Sequence, residues 1–363
     1  EKSDKNGIYD RKLCNFIAWV VSEITIDSGT EEKKHLVICG QHENGNKLKK
    51  IEIAGSELAN FSWLMEYWGI DCVLEPCHSV KEHLRYAIQS TAINADKQTK
   101  YMVTGWKKIN DEWHYLMPGD TELTVKLTGK LSRYEMPHSF NQSSVEFAWS
   151  MFQSPLIPKE ILYTMFAYTF LTPLNEFLHK VNHEPKFVLM LLGKTGARKS
   201  TLSALFLSFF GRFTSSDLPL SFRDTANNIM HQTAILKDVL TCIDDFHPTS
   251  SKEGQQLTQT AQAIMRAYGD RTGRGRLKAD STPMDSVPPK GNAIITAEFA
   301  PDIGESGTAR YFSLEVKTGD VNLSALSDFQ DKASKGLLAE SMYAYIKMIA
   351  DLANDAEDYF TDK

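Results

Sequence analysis

The sequence predicts an α/β fold: a parallel sheet with flanking helices, preceded by a smaller β-rich α+β domain. Three observations carry that prediction. Residues 187–192 (FVLMLL) form a short apolar run that enters a glycine-containing turn and then an amphipathic helix. Strand, turn and helix recur after it, the pattern of a parallel sheet with crossover helices. The first ~135 residues instead hold β-branched and aromatic runs joined by hairpin turns. A length of 363 residues also favours two domains over one.

Hydrophobic residues make up 42% and charged residues 24%, a globular balance that excludes a wholly disordered or fibrous chain. Five cysteines form no disulfide framework and suit a reducing compartment. The polar start EKSDKNGIYDRKL lacks a signal-peptide core. The longest apolar stretch, 161–171, is shorter than the ~20 residues a membrane span needs. The expectation is therefore a soluble, cytoplasmic protein with no membrane partner. Because the chain opens at Glu1, it is also expected to be a trimmed piece. Net charge is -6, which leans away from phosphate partners. However, residues 320–363 hold nine acids and four bases, net -5, leaving only -1 for the rest.

In the N-terminal part, FIAWVVSEITI (16–26) and 35–39 read as strands, with Asn44-Gly45 a hairpin signal before KLKKIEI. Residues 80–91 carry Leu84, Ala87 and Ile88 at helical spacing, with Ser79 as expected N-cap. YMVTGWKKI and EWHYLM pair across Asn110-Asp111. Trp63, Trp68, Trp106 and Trp113 are core or platform residues. Cys72, Cys77, His78 and His83 lie close in sequence, but the spacing is loose and Pro76 interrupts it, so the reading is against zinc. The polar stretch 131–144 places the boundary. The expected domains are 1–138 (accessory), 139–319 (the α/β core) and 320–363 (an acidic helical segment).

The turn after 187–192 reads GKTGARKS. Backbone N–H groups of such a turn and of the helix N-terminus wrap phosphates. The nucleotide-binding set is thus Gly193, Lys194, Thr195, Gly196, Ala197, Arg198, Lys199, Ser200 and Thr201. Lys199 is expected to contact the β and γ phosphates, and the Ser200 hydroxyl to hold Mg²⁺. Arg198 stands where such loops usually place glycine and must point outward.

A second strand, VLTCI, ends in Asp244-Asp245. Asp244 is expected to hold Mg²⁺ through water and Asp245 to polarise the attacking water. Aspartate is one methylene shorter than the glutamate commoner at the second position. The strand GNAIITAE (291–298) offers Thr296 and Glu298 as groups sensing the γ phosphate, and the sequence does not choose between them. Arg310, just before the strand 311–316, is expected to reach a neighbour's γ phosphate as an arginine finger. No arginine follows it, so a lid arginine lies beyond Lys363, comes from elsewhere, or does not exist.

Residues 266–278 (RAYGDRTGRGRLK) carry a local +4, with three glycines that suit a hairpin or mobile loop. Arg271, Arg274, Arg276 and Lys278 are the expected contacts to a nucleic-acid backbone.

These motifs resemble a family. GKTGARKS is similar to the P-loop of MCM helicases, and CIDDF to their acidic strand end, with Asp for Glu. The insertion before the sensor strand and the arginine before the next strand match the AAA+ layout. VKEHLRYAIQS followed by TGWKKINDEWHYLMPG resembles the domain preceding the ATPase in bacterial mobile-element and phage replication proteins, including the MCM-like helicase of staphylococcal cassette chromosome elements. The resemblance implies a hexameric, ATP- and Mg²⁺-dependent DNA helicase acting in replication of a mobile element. It implies single-stranded or forked DNA as partner and a winged-helix segment beyond the C-terminus. The N-terminal domain would engage other replication proteins. A superfamily 3-type initiator and a nucleotide-dependent DNA-binding scaffold with little turnover are the competing readings.

Overall fold

The computed structural model describes all residues except 1, 5, 6, 10, 121, 248–250, 272–275, 278–282, 285–286 and 356–363. The chain forms two compact units, Glu1–Lys100 and Tyr101–Lys363. The division falls well before the boundary expected near residue 138.

In the first unit, β1 (Phe16–Asp27) pairs antiparallel with β2 (Glu32–His42), and β2 with β3 (Lys47–Ala54). β4 (Asp96–Tyr101) flanks β1 on its other side. Alternation along β1 sends Phe16, Val20 and Ile24 inward. Helix α1 (Val80–Ser90) adds Leu84 and Ile88, one helical turn apart, to the same core. Ser79 does not cap it. Its backbone is left-handed (φ 54°) and its side chain accepts no bond from the first turn. Trp63 and Trp68 meet edge to face at 5.1 Å, and Trp68 Nε1 donates to the Lys49 carbonyl. Gly40 allows this, because a Cβ there would lie 2.5 Å from the Trp68 ring.

The second unit opens with a hairpin, β5 (Gly105–Ile109) and β6 (Glu112–Leu116). Asn110 and Asp111 both take positive φ (51° and 67°), the geometry of a tight two-residue turn. Trp106 is 1% exposed and donates through Nε1 to the Pro173 carbonyl at 2.6 Å. That burial puts the hairpin in the larger unit. The loss of aromatic surface to this core outweighs the polar 131–144 stretch that suggested a boundary there.

Helices α2 (Gln142–Ser150) and α3 (Lys159–Leu171) lead to a five-stranded parallel sheet. Its strands are β7 (Val188–Leu192), β8 (Leu220–Ser221), β9 (Leu240–Phe246), β10 (Asn292–Ala297) and β11 (Tyr311–Glu315). The spatial order is β8-β9-β10-β7-β11, with all pairings parallel. β7 and β10 are almost wholly buried, which explains their continuous apolar runs. Around the sheet lie α4 (Lys199–Leu207), α5 (Ala226–Ile235) and α6 (Ser251–Asp270).

The expected acidic tail is part of this core. α7 (Leu323–Ser334) is capped by Asn322, whose side chain accepts from Ala325 N. α8 (Leu337–Asp355) buries Leu338, Met342, Ile346, Ile349 and Ala353 along one stripe. Its Asn354 exchanges two hydrogen bonds with the Trp113 backbone. The acids of α8 lie on its outer face or accept a bond, as Glu340 does from Ser144. Among the described residues, no helix is long and apolar enough to cross a membrane.

Candidate active site

The parallel sheet points the C-terminal ends of β7, β9 and β10 to one side, where the crevice outside the strand ends collects loops and side chains. A cavity of about 310 Å³ opens there. Thr195, Gly196, Arg198, Lys199, Ser200 and Thr201 of the turn line it, with Thr296 and Glu298 from the β10 side.

Gly193, Lys194 and Ala197 shape the turn instead. A Cβ on Gly193 would lie 2.2 Å from the Val316 carbonyl oxygen, so only glycine lets the strand leave the sheet here. Ala197 is buried, and the Gly193 and Lys194 carbonyls accept from Lys199 Nζ at 2.6 and 3.2 Å. Lys199 is thus folded onto its own loop, and burial holds its amine below the usual lysine value. Arg198 is exposed, as expected, but its backbone is left-handed (φ 66°). This explains the usual glycine at that position, since a side chain there adopts αL at a cost.

The acidic strand end is built on a β-bulge. Ile243 faces Ile295 and Phe246 faces Ala297, so Asp244 and Asp245 together oppose Thr296. The Thr296 hydroxyl serves both residues: it donates to Asp244 Oδ1 at 2.5 Å and accepts from Asp245 N at 3.0 Å. Ser200 Oγ also donates to Asp244 Oδ1, at 2.7 Å. Ser200, Asp244 and Thr296 thus converge from three elements on one oxygen. Asp245 follows with φ 68°, and its carboxylate pairs with Arg223 at 3.1 Å.

Glu298 lies one step further along. One carboxylate oxygen accepts from the Thr195 hydroxyl, and the other lies 2.9 Å from His247 Nδ1. The Thr195 bond, aided by His247 and Lys199, holds the Glu298 carboxyl below the usual glutamate value. His247 and Ser215, which also line the cavity, and Arg223 had no motif to announce them. Arg223 reaches Asp245 only because β8 pairs beside β9, with Ser221 opposite Asp244. His247 sits just past the acidic pair, a position that marks it as a neighbour of the site.

Arg310 does not line the cavity. Its Nε and Nη2 donate to Asp270 Oδ1 at 3.0 and 2.8 Å, and its aliphatic stem lies on Gly269 at the end of α6. Arg271 departs from expectation. Its guanidinium donates to the Pro289, Gly291 and Pro185 carbonyls at 2.5, 3.2 and 2.6 Å, so it anchors the base of the insertion instead of facing a ligand. These buried carbonyls on both sides of the insertion hold its two Nη groups away from solvent. Arg276 lies in a short antiparallel pairing, Arg276–Leu277 with Pro283–Met284. Arg274 and Lys278 lie outside the described residues.

No family model and no curated protein sequence matches this chain. Among solved structures, it is similar to the active helicase Cch of SCCmec type IV, with 16% identity and a TM-score of 0.53. The match covers 96% of this chain and 62% of that one, so the chain spans less than two thirds of its neighbour's length. A looser match is the C-terminal region of NrS-1, at 13% identity and TM-score 0.39, covering 88% of this chain and 65% of that one. The JCV helicase matches at 13% identity and TM-score 0.29, over 54% of this chain and 56% of that one. The likeness to Cch lies in the fold, and it falls on the kind of protein that GKTGARKS and CIDDF resemble.

Proposed function

We propose that this chain is the AAA+ ATPase part of a hexameric, MCM-like DNA helicase that serves replication of a mobile genetic element. The observation that carries the reading is the convergence of Ser200 and Thr296 on Asp244 at the mouth of the P-loop. The strand order supports it, with the P-loop strand β7 between the Thr296 strand and the strand that Arg310 precedes. The fold likeness to Cch supports it further.

In this reading the turn's N–H groups and the α4 N-terminus hold the ATP phosphates. Lys199 leaves the Gly193 and Lys194 carbonyls for the β and γ phosphates. A hydroxyl and a carboxylate oxygen 2.7 Å apart form a hard-oxygen donor set that suits Mg²⁺, so Ser200 and Asp244 would hold it. The ion would neutralise charge building on the phosphate oxygens. Thr296 orients Asp244 for that task. Arg310 acts on a neighbouring subunit's nucleotide once it releases Asp270. Arg274, Arg276 and Lys278 grip single-stranded or forked DNA, and the N-terminal unit engages other replication proteins.

Phosphate release with and without single-stranded DNA tests the reading. The expected result is ATP turnover that DNA stimulates. Tight ATP binding with no turnover in either condition would replace it with the DNA-binding scaffold.

A further inference from the structure

The geometry assigns activation of the hydrolytic water to Glu298, with His247 as its positioning residue, in place of Asp245. The assignment rests on the nucleotide-hydrolysis reading above and concerns which acid acts within that site. Both acids line the same cavity, so the question is which one is presented to it.

Asp245 is held from three directions. The two-against-one bulge gives it a left-handed backbone, and its N–H is tied to Thr296 Oγ1. Its short carboxylate already meets the Arg223 guanidinium at 3.1 Å. That pair occupies the carboxylate, and one methylene fewer than glutamate leaves it little reach around the guanidinium.

Glu298 is arranged differently. It follows β10 directly and is joined to the phosphate-binding turn itself by the Thr195 hydroxyl. The loop that wraps the γ phosphate therefore also sets the position of this carboxylate. His247, with Nδ1 as donor, holds the second oxygen at 2.9 Å and fixes the plane of the group. Glu298 pairs with no lysine or arginine among the described residues. The extra methylene that the acidic strand lacks is thus supplied from the adjacent strand.

The step balances as an ordinary hydrolysis. The water oxygen forms a bond to the γ phosphorus while one of its protons passes to a Glu298 carboxylate oxygen. The bond from the γ phosphorus to the bridging oxygen breaks, and its electron pair leaves on ADP. The proton on Glu298 then returns to solvent, and inorganic phosphate departs.

The test compares Glu298→Gln, Asp245→Asn, His247→Ala and His247→Asn in the full chain, reading ATP binding by a fluorescent analogue and turnover by phosphate release. Glu298→Gln should bind ATP normally and lose turnover by about 10²–10⁴-fold. Asp245→Asn should lose less than about tenfold, since it gives up only the Arg223 pair. His247→Ala should lower kcat with KM for ATP unchanged, and His247→Asn, which restores a donor near the Nδ1 position, should recover most of it. Equal losses in Glu298→Gln and Asp245→Asn, or a larger loss in Asp245→Asn, would overturn the assignment. So would a wild-type chain that binds ATP without turning it over. A wild-type chain that binds no ATP would instead reject the nucleotide site itself, and the assignment with it.

Discussion

Two aspartates lie near opposite ends of the same strand and do opposite things. Asp244, close to the C-terminal end of β9, is half-buried beside Ser200 and Thr296 of the cavity wall, whose hydroxyls both donate to one of its oxygens. Asp238, just before β9 begins, is fully buried, with Oδ2 accepting from Trp106 N at 2.9 Å and Oδ1 without a partner. Burial pushes its carboxyl up to about 7. In the proposed reading, one end of the parallel sheet serves chemistry and the other ties loops to the core. At the far end, the polar groups that matter are those that tie loops down: Asp238 to the β5–β6 hairpin, and Arg271 to the segments around the insertion.

Substitutions can break this contrast, starting with the largest effect. Asp244→Ala should reduce ATP turnover by more than about a hundredfold, as loss of a metal-binding carboxylate does. Its thermal midpoint should stay within a few degrees of wild type, and a fall of ten degrees or more would show that the open end is also structural. Trp106→Ala should do the reverse and cost about 3–5 kcal/mol of stability in urea unfolding, since it empties a fully buried indole site.

Asp238→Asn sharpens the contrast through pH. The folded carboxyl value of about 7 lies above the ordinary 3.8, so its contribution to stability is present in acid and lost as pH rises through about 7. Wild type should lose roughly 2–3 kcal/mol between pH 5 and pH 8 from this group, while the amide variant lacks that loss. Parallel stability curves for the two proteins would exclude Asp238 as the source. Arg271→Ala should cost about 1.5–3 kcal/mol by removing charged donors from buried carbonyls. If DNA binding weakened with no change in stability, the anchoring role would be wrong and the residue would belong with Arg276.

Much of the open end was legible in the chain because it is local. GKTGARKS, its preceding apolar run and the helix after it are contiguous, and strand-turn-helix signals need no long-range partner to be read. Asp244 was legible for the same reason. What Thr296 contacts was not, because it faces a bulge that sets two residues of β9 against one of β10. Arg223 and His247 were hidden likewise, since pairing of β8 beside β9 and the position of Glu298 bring them in.

The far end was read poorly. Trp106 and Trp113 were expected in an accessory domain, yet one is a core residue of the larger unit and the other holds Asn354 of the last helix. Arg271 counted as a basic-loop residue by composition, but its two Nη groups donate to carbonyls of residues 185, 289 and 291.

By itself, the sequence determined the strand, turn and helix around GKTGARKS, the acidic strand end and the α/β class, all set by patterns within a few residues. Tertiary structure alone decided which charges face the cavity and which are consumed in holding the fold. The reason is physical: a side chain's charge is written in the sequence, but its solvation and its partners are not. A buried carbonyl cluster or a bulge from a distant strand turns an arginine into an anchor, or ties an aspartate to its neighbour.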